Sequence, residues 1–244
     1  MELPKLFYWI DDSVGLGHKM QGQAILEAWQ ERGGNGSFTG TPTKLSVIVF
    51  DGYQWEDRAR KLWKDAGHFV VTIHDVIGKY TCNLLIDKNY RAEYKSYAAA
   101  STTRMLLGVD YFPLRDIYKT LDPTEEVDVF DADSVSRALL PNDFARQMAR
   151  AKVVVCSAGL TVYEALYLQK PIILRCATGN QRWTYDHLLA DGLAIPADSY
   201  GPIFFLDDNV LRSRQRESLA GLIDGHGAER IVVAITTSLA RRNA

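Results

Sequence analysis

Short apolar runs alternate twice with segments of helical periodicity, and this constrains the fold more than any other feature of the chain. Lys5–Ile10, Leu45–Phe50, Phe69–Ile73 and Leu84–Ile86 are rich in β-branched or aromatic residues, while Gln23–Arg32 and Trp55–Gly67 repeat apolar residues at helical spacing between charged faces. A second series follows, with Val127–Phe130, Lys152–Cys156, Pro171–Leu174 and Leu193–Ile195 as strands and Asn142–Ala151, Leu160–Leu168 and Asn180–Ala190 as helices. Such alternation predicts an α/β fold in which parallel sheets are joined by helical crossovers. The segment Lys119–Glu126, with Pro123 and clustered acids, reads as a linker. It divides an N-terminal domain, 1–120, from a C-terminal domain, 121–244, whose tail after Asp207 is charged and then helical and ends in an apolar run, Ile231–Leu239, that fits against either domain. At 244 residues and 47% hydrophobic content, the chain has enough apolar side chains for two small cores.

Between the first run and the first helix lies Asp11-Asp12-Ser13-Val14-Gly15-Leu16-Gly17-His18-Lys19-Met20. A glycine turn opening a helix presents backbone N–H groups to an anion, here with an imidazole at the same place. The dinucleotide-binding fingerprint is incomplete, because no third glycine follows Gly15 and Gly17 at the required spacing. In the first turn of a helix the dipole disfavours imidazolium, so His18 reads either as a neutral general base or as a capping and packing residue.

A second turn of the same kind runs Cys156-Ser157-Ala158-Gly159-Leu160-Thr161-Val162-Tyr163-Glu164. Glu164, one turn into the helix, is either a carboxylate for a ribose diol or an ordinary helix-stabilising acid. Downstream, Gly179-Asn180-Gln181 brings side-chain amides to another helix start, and Trp183 beside it is a candidate wall for a sugar or uracil. The other aromatic residues read as core.

The remaining features exclude classes of function. Twenty-eight basic and 30 acidic residues are interspersed, for a net charge of −2, which leaves no footprint for nucleic acid. Cys82, Cys156 and Cys176 lack metal-ligand spacing and read as reduced thiols, and His68, His74, His187 and His226 form no metal-binding motif. The expectation is a chain with no metal or cofactor. Without a basic leader or an apolar run of membrane-spanning length, it is also expected to be soluble and cytoplasmic.

Taken in order, Gly-x-Gly-His, Asp51-Gly52-Tyr53, Leu106-Leu107-Gly108-x-x-Tyr111-x-x-Leu114-Arg115, Ser157-Ala158-Gly159 with Glu164, Pro171, Asn180-Gln181 and Asp224-Gly225-x-Gly227-x-x-Arg230-Ile231 resemble the UDP-sugar hydrolase family of the pseudaminic-acid pathway. The resemblance implies two Rossmann-like domains of GT-B type. It also implies metal-independent release of UDP from a UDP-2,4-diacetamido-trideoxyhexose by water attack at the anomeric carbon. On this resemblance His18, with Asp11, would be catalytic, beside the loop glycines Gly15 and Gly17. Ser157, Gly159, Leu160, Thr161 and Glu164 would hold UDP, Asn180 and Gln181 would meet the diphosphate or sugar, and Tyr111 and Arg115 would complete the substrate site. The family's arginine three residues after the histidine is Gln21 here, and its aspartate pair after the third strand is His74-Asp75. The family's glycine-glycine-x-aspartate loop has no counterpart between Arg115 and Cys156, and each half looks trimmed by a β-α unit. The same residues are compatible with a GT-B glycosyltransferase acting on a UDP-sugar donor, or with a nucleotide-sugar-binding protein without catalysis.

Overall fold

A computed structural model describes residues 2–11, 15–99, 102–136, 138–198 and 207–242, so Asp12, Ser13 and Val14 of the first glycine turn lie outside the described residues. The chain divides into two compact units, Met1–Arg115 with His226–Ala244, and Asp116–Gly225.

The first unit contains β1 (Leu6–Ile10), β2 (Gly36–Ser37), β3 (Val47–Asp51), β4 (Phe69–Ile73), β5 (Lys79–Tyr80), β6 (Leu84–Asp87), β7 (Ala98–Ala99) and β8 (Arg104–Leu107). Six of these form one parallel sheet in the order β2-β1-β3-β4-β6-β8, and β5 and β7 pair separately. Helices α1 (Leu16–Glu31) and α2 (Asp57–Asp65) supply crossovers. Strands β3, β4 and β6 are buried throughout, which explains why they read as continuous apolar runs rather than as alternating ones. Successive residues still face opposite ways. Tyr8, Val49, Val71 and Ile86 pack beneath α1 with Ile25, whereas Ile48, Phe50, Val70 and Leu85 meet the aromatic layer of Trp9, Trp55 and Trp63.

The second unit carries β9 (Val127–Asp131), β10 (Ala151–Ser157), β11 (Ile172–Arg175) and β12 (Ile195–Pro196), parallel in the order β12-β11-β10-β9. Its helices are α3 (Asp116–Lys119), α4 (Ala132–Val135), α5 (Pro141–Ala149), α6 (Leu160–Tyr167), α7 (Arg182–Ala190) and α8 (Asn209–Leu219). Lys170, only 2% exposed, donates to the carbonyls of Thr124 at 2.6 Å and Ala151 at 2.8 Å, tying the segment before β9 to the start of β10.

Two boundaries differ from the sequence reading. The contact division falls after Arg115 rather than at 120/121, and 226–244 belongs with the first unit rather than the second. The reason is the last helix, α9 (Gly227–Arg242), whose Ile231, Val232, Ile235 and Leu239 enter the core beneath α1. Gly227 abuts the Phe112 backbone so closely that a Cβ there would lie 2.1 Å from the Phe112 carbonyl oxygen. Helix α1 also begins at Leu16, seven residues before the periodic segment at Gln23, because its first turns carry glycine and polar residues rather than an apolar stripe.

Ile235 is fully buried, so Ile235→Ala is expected to destabilise the first unit by about 2–4 kcal/mol. Hydrogen exchange will read this as lost protection in β3 and β4 with protection in β10 retained. Burial pushes the Lys170 ammonium down to about 8 from its ordinary 10.5. The folded chain therefore releases this proton before the unfolded chain does, so the Lys170 contribution to stability rises between those two pH values. The urea midpoint of Lys170→Met will lack that increment.

Candidate functional site

The first sheet reverses its order at β1. The chain leaves β1 for β2 on one side and returns to β3 on the other. Loops that diverge in this way leave a crevice at the carboxyl ends of the strands, where open α/β sheets take ligands. Asp11 follows β1, His18 lies in the first turn of α1, and Asp51 is the last residue of β3.

His18 Nδ1 and Asp51 Oδ1 are 2.8 Å apart. The Asp51 carboxylate is 1% exposed, and its other oxygen accepts hydrogen bonds from the Tyr8 hydroxyl at 2.7 Å and Gln21 Nε2 at 2.9 Å. With two donors already aimed at it, Asp51 acts as an ionised acceptor, and Nδ1 of His18 carries the proton. In the neutral ring this tautomer puts the lone pair on Nε2, which makes no hydrogen bond to any described residue. Burial, reinforced by the Asp51 charge, pushes the Tyr8 phenol well above its ordinary value, so Tyr8 remains a donor. Gln21, at the position of the family's arginine, offers an amide where a guanidinium would add a charge.

Asp11 has a different task. Its Oδ2 accepts the Gln54 backbone N–H at 2.7 Å and would lie 2.2 Å from a Cβ at position 52, where glycine also adopts φ +133°. Asp11 thus fastens the loop after β1 to the turn after β3, while His18 pairs with Asp51. Gly15 is the N-cap of α1 and makes no side-chain cap hydrogen bond, with Gly17 in the first turn. Tyr53 stands over this region, its ring centroid 6.1 Å from that of His18 and 5.3 Å from that of His74, and its hydroxyl donates to Asp75 Oδ2 at 2.9 Å. His74 Nδ1 accepts the Val76 N–H, and burial holds this imidazole below its ordinary pKa, so it is neutral near pH 7.

The sequence-derived residues therefore fall into separate groups. His18, Asp11, Gly15 and Gly17 gather at the β1/β3 edge. Tyr111 follows β8, three strands from β3 or about 14 Å at normal strand spacing, and packs against the core. Arg115 closes the first stretch of that unit.

In the second unit Ser157, Gly159, Leu160, Thr161 and Glu164 occupy the β10–α6 turn and helix. The Gln181 amide lies 3.3 Å from where a Gly159 Cβ would stand, which brings Gln181 to the start of α6. Asn180 Oδ1 accepts from the Thr178 hydroxyl at 2.6 Å, and Trp183 stacks on His187 with ring centroids 4.2 Å apart. Ser157 is already engaged. Its N–H and hydroxyl donate to Asp133 Oδ1 at 3.2 and 3.0 Å, while Arg175 forks onto Asp131 with two contacts of 3.1 Å. Among the described residues no three His, Cys, Asp or Glu side chains come together as a metal ion would require.

Sequence reasoning did not select Asp51, Tyr8, Gln21, Asp75, Lys88 or Arg175 as site residues. The available signal was an aspartate closing an apolar run, which occurs at Asp51, Asp87 and Asp131.

No family model matches the chain, and no curated protein does. Among solved structures it is similar to Acinetobacter baumannii MurG, at 9% identity and a TM-score of 0.61 over 96% of this chain and 99% of that one. It is also similar to the glycotransferase of kitacinnamycin, at 12% identity and a TM-score of 0.60 over 97% and 99% of the two chains. The likeness is one of fold: an α/β chain of GT-B type with two Rossmann-like domains on parallel sheets. Among the described residues no helix is long and apolar enough to cross a membrane.

Asp51→Asn is expected to cost about 1–3 kcal/mol, because the amide cannot accept from Tyr8, Gln21 and His18 as the carboxylate does. Nitrogen NMR of the imidazole will report the second consequence, loss of the single His18 tautomer present in the parent protein.

Proposed function

We propose that this chain is a glycosyltransferase that uses a nucleotide-sugar donor and employs His18 as the base for the acceptor hydroxyl. The observation that carries the reading is the His18–Asp51 pair at the switch point of the first sheet, and the GT-B fold supports it. In the reaction, Nε2 of His18 takes the acceptor O–H proton as the oxygen bonds to the anomeric carbon. The bond from that carbon to the diphosphate oxygen breaks, and the nucleoside diphosphate leaves with the electron pair. Asp51 stabilises the imidazolium formed at that moment, as a buried carboxylate on Nδ1 does in hydrolase triads. Asp11 is a positioning residue in this scheme.

The donor side of the reading uses the second unit. The Glu164 carboxylate accepts the ribose hydroxyls, the turn N–H groups of Gly159, Leu160 and Thr161 face the diphosphate, and Asn180 and Gln181 contribute amides. Helix-terminus dipoles favour the charge that develops on the leaving group.

A second reading, hydrolysis of a UDP-amino sugar, is favoured by the ordered motif set from Gly15-x-Gly17-His18 to Asn180-Gln181. It differs in one reactant only, since water replaces the acceptor hydroxyl at His18.

Purified protein incubated with a panel of UDP-sugars, with and without sugar acceptors, will separate the two. Acceptor-dependent UDP release supports transfer, and release in buffer alone supports hydrolysis. In either case His18→Ala is expected to lower kcat about 10²–10⁴-fold with little change in UDP affinity. Full activity in that variant would exclude His18 as the base.

A further inference from the structure

We propose that the cavity bordered by Lys170, at the amino-terminal end of the second sheet, is a binding site for a small organic monocarboxylate with an apolar body. The proposal does not rest on the proposed reaction. The turn assigned there to the donor follows β10, whereas Ala151 begins β10 and Lys170 stands just before β11.

The cavity has a volume of about 520 Å³, within the roughly 300–1,000 Å³ of small-molecule sites. It lies between the segment before β9, the turn that joins α6 to β11, and the end of α8 with the residues after it. Lys170 is 2% exposed and lines this space. Two of its three ammonium N–H groups donate to the carbonyls of Thr124 and Ala151, and the third has no acceptor among the described residues. Those carbonyls replace water around the ammonium but cancel no charge. No described carboxylate oxygen comes within 4.0 Å of Lys170 Nζ. Glu125 lines the same cavity, but its carboxylate is paired with Arg216. Burial and then the Arg216 charge lower the Lys170 pKa, against the opposing effect of Glu125, and at about 8 the group is still an ammonium near pH 7.

The charged lining is therefore Lys170 and Arg216 against Glu125 alone, which leaves one net positive charge. Water in the cavity supplies an acceptor for the third N–H but no charge, and a cation is repelled. A bare anion supplies the charge but fills little of the volume, so Leu121, Pro123, Leu168 and Ile223 still face water. A carboxylate on an apolar body meets both requirements. The Tyr167 hydroxyl, on the same cavity and without a hydrogen bond to any described residue, is a further donor for it.

Titration NMR on the full chain would use benzoate and hexanoate, with benzamide as the neutral analogue of benzoate and with chloride and inorganic phosphate as competitors. At least one carboxylate is expected to bind, with benzamide about tenfold weaker or more. Arg216→Gln leaves Glu125 unopposed and makes the cavity neutral, so carboxylate binding is expected to weaken about threefold, while Glu125→Gln is expected to tighten it by a similar factor. Both side chains are partly exposed, which makes these variants safe for the fold. Lys170 is read without mutation, through the labelled side-chain carbon beside its amine. A bound carboxylate favours the ammonium, so saturating benzoate is expected to move the Lys170 midpoint up from about 8 toward its ordinary 10.5.

Failure of both carboxylates to bind at millimolar concentration would overturn the proposal, and so would equal binding by benzamide. Displacement of benzoate by an equal concentration of chloride or phosphate would reduce the cavity to a site for simple anions and overturn it as well. Binding that ignores both charge variants, or a Lys170 midpoint that benzoate leaves in place, would put the carboxylate elsewhere on the molecule.

Discussion

The carboxyl edge of the first sheet depends on keeping one carboxylate, Asp51, ionised out of water. A buried charge of this kind persists only where donors replace its hydration, and Tyr8, Gln21 and His18 do so. The peptide carbonyl of the same residue accepts from the Asp11 N–H at 3.3 Å and the Trp55 indole at 3.1 Å. Asp51 is thus the fixed point for the loop after β1, the helix that carries His18 and the segment leading into α2. Each contact that stabilises the charge also orients the imidazole, so the cost of burial and the geometry of the base are two aspects of one arrangement.

The same device recurs with different partners. Asp87 ends β6 and Asp131 ends β9, and each, like Asp51, is the last residue of a parallel strand, where the backbone leaves the sheet. Asp87 takes the ammonium of Lys95 and the hydroxyl of Tyr97, whose ionisation is pushed far up by burial and by the Asp87 charge. Asp131 takes the fork of Arg175, which holds its carboxyl below the usual range against the opposing effect of burial. A carboxylate bound by a permanent cation is chemically quiet. Among these three carboxylates only Asp51 has an imidazole among its donors, the group that the proposed function uses as its base.

The alternation of strands and helices was legible in the sequence because parallel strands buried on both faces must be apolar throughout and the crossovers must be amphipathic. His18 was legible for a local reason, its place in the first turn of a helix after a strand. Asp51 was not, because its importance comes from Tyr8 and Gln21, 43 and 30 residues away along the chain. The place of the tail was left open for a related reason. An apolar stripe such as Ile231–Leu239 states that a helix must be covered but not which sheet covers it, and the close approach of Gly227 to Phe112 is visible only in three dimensions.

The two turns singled out by their glycines are electrostatically unlike. The first opens a helix with no side-chain cap, next to a carboxylate whose charge is already satisfied. At the second, Asp133 already accepts both donors of Ser157, so an anion that uses Ser157 must first displace a carboxylate of the same chain. That exchange is cheap, because Asp133 and Arg175 are about 35% and 42% exposed and ion pairs at such exposure contribute little. It is also selective. A monoanion merely replaces one carboxylate by another, whereas a diphosphate brings more charge and more acceptor oxygens to the Gly159–Thr161 N–H groups and to Arg175, and so gains where the monoanion breaks even. If this turn is the donor site of the proposed function, the internal carboxylate sets a threshold that a nucleoside diphosphate clears more readily than a simple anion.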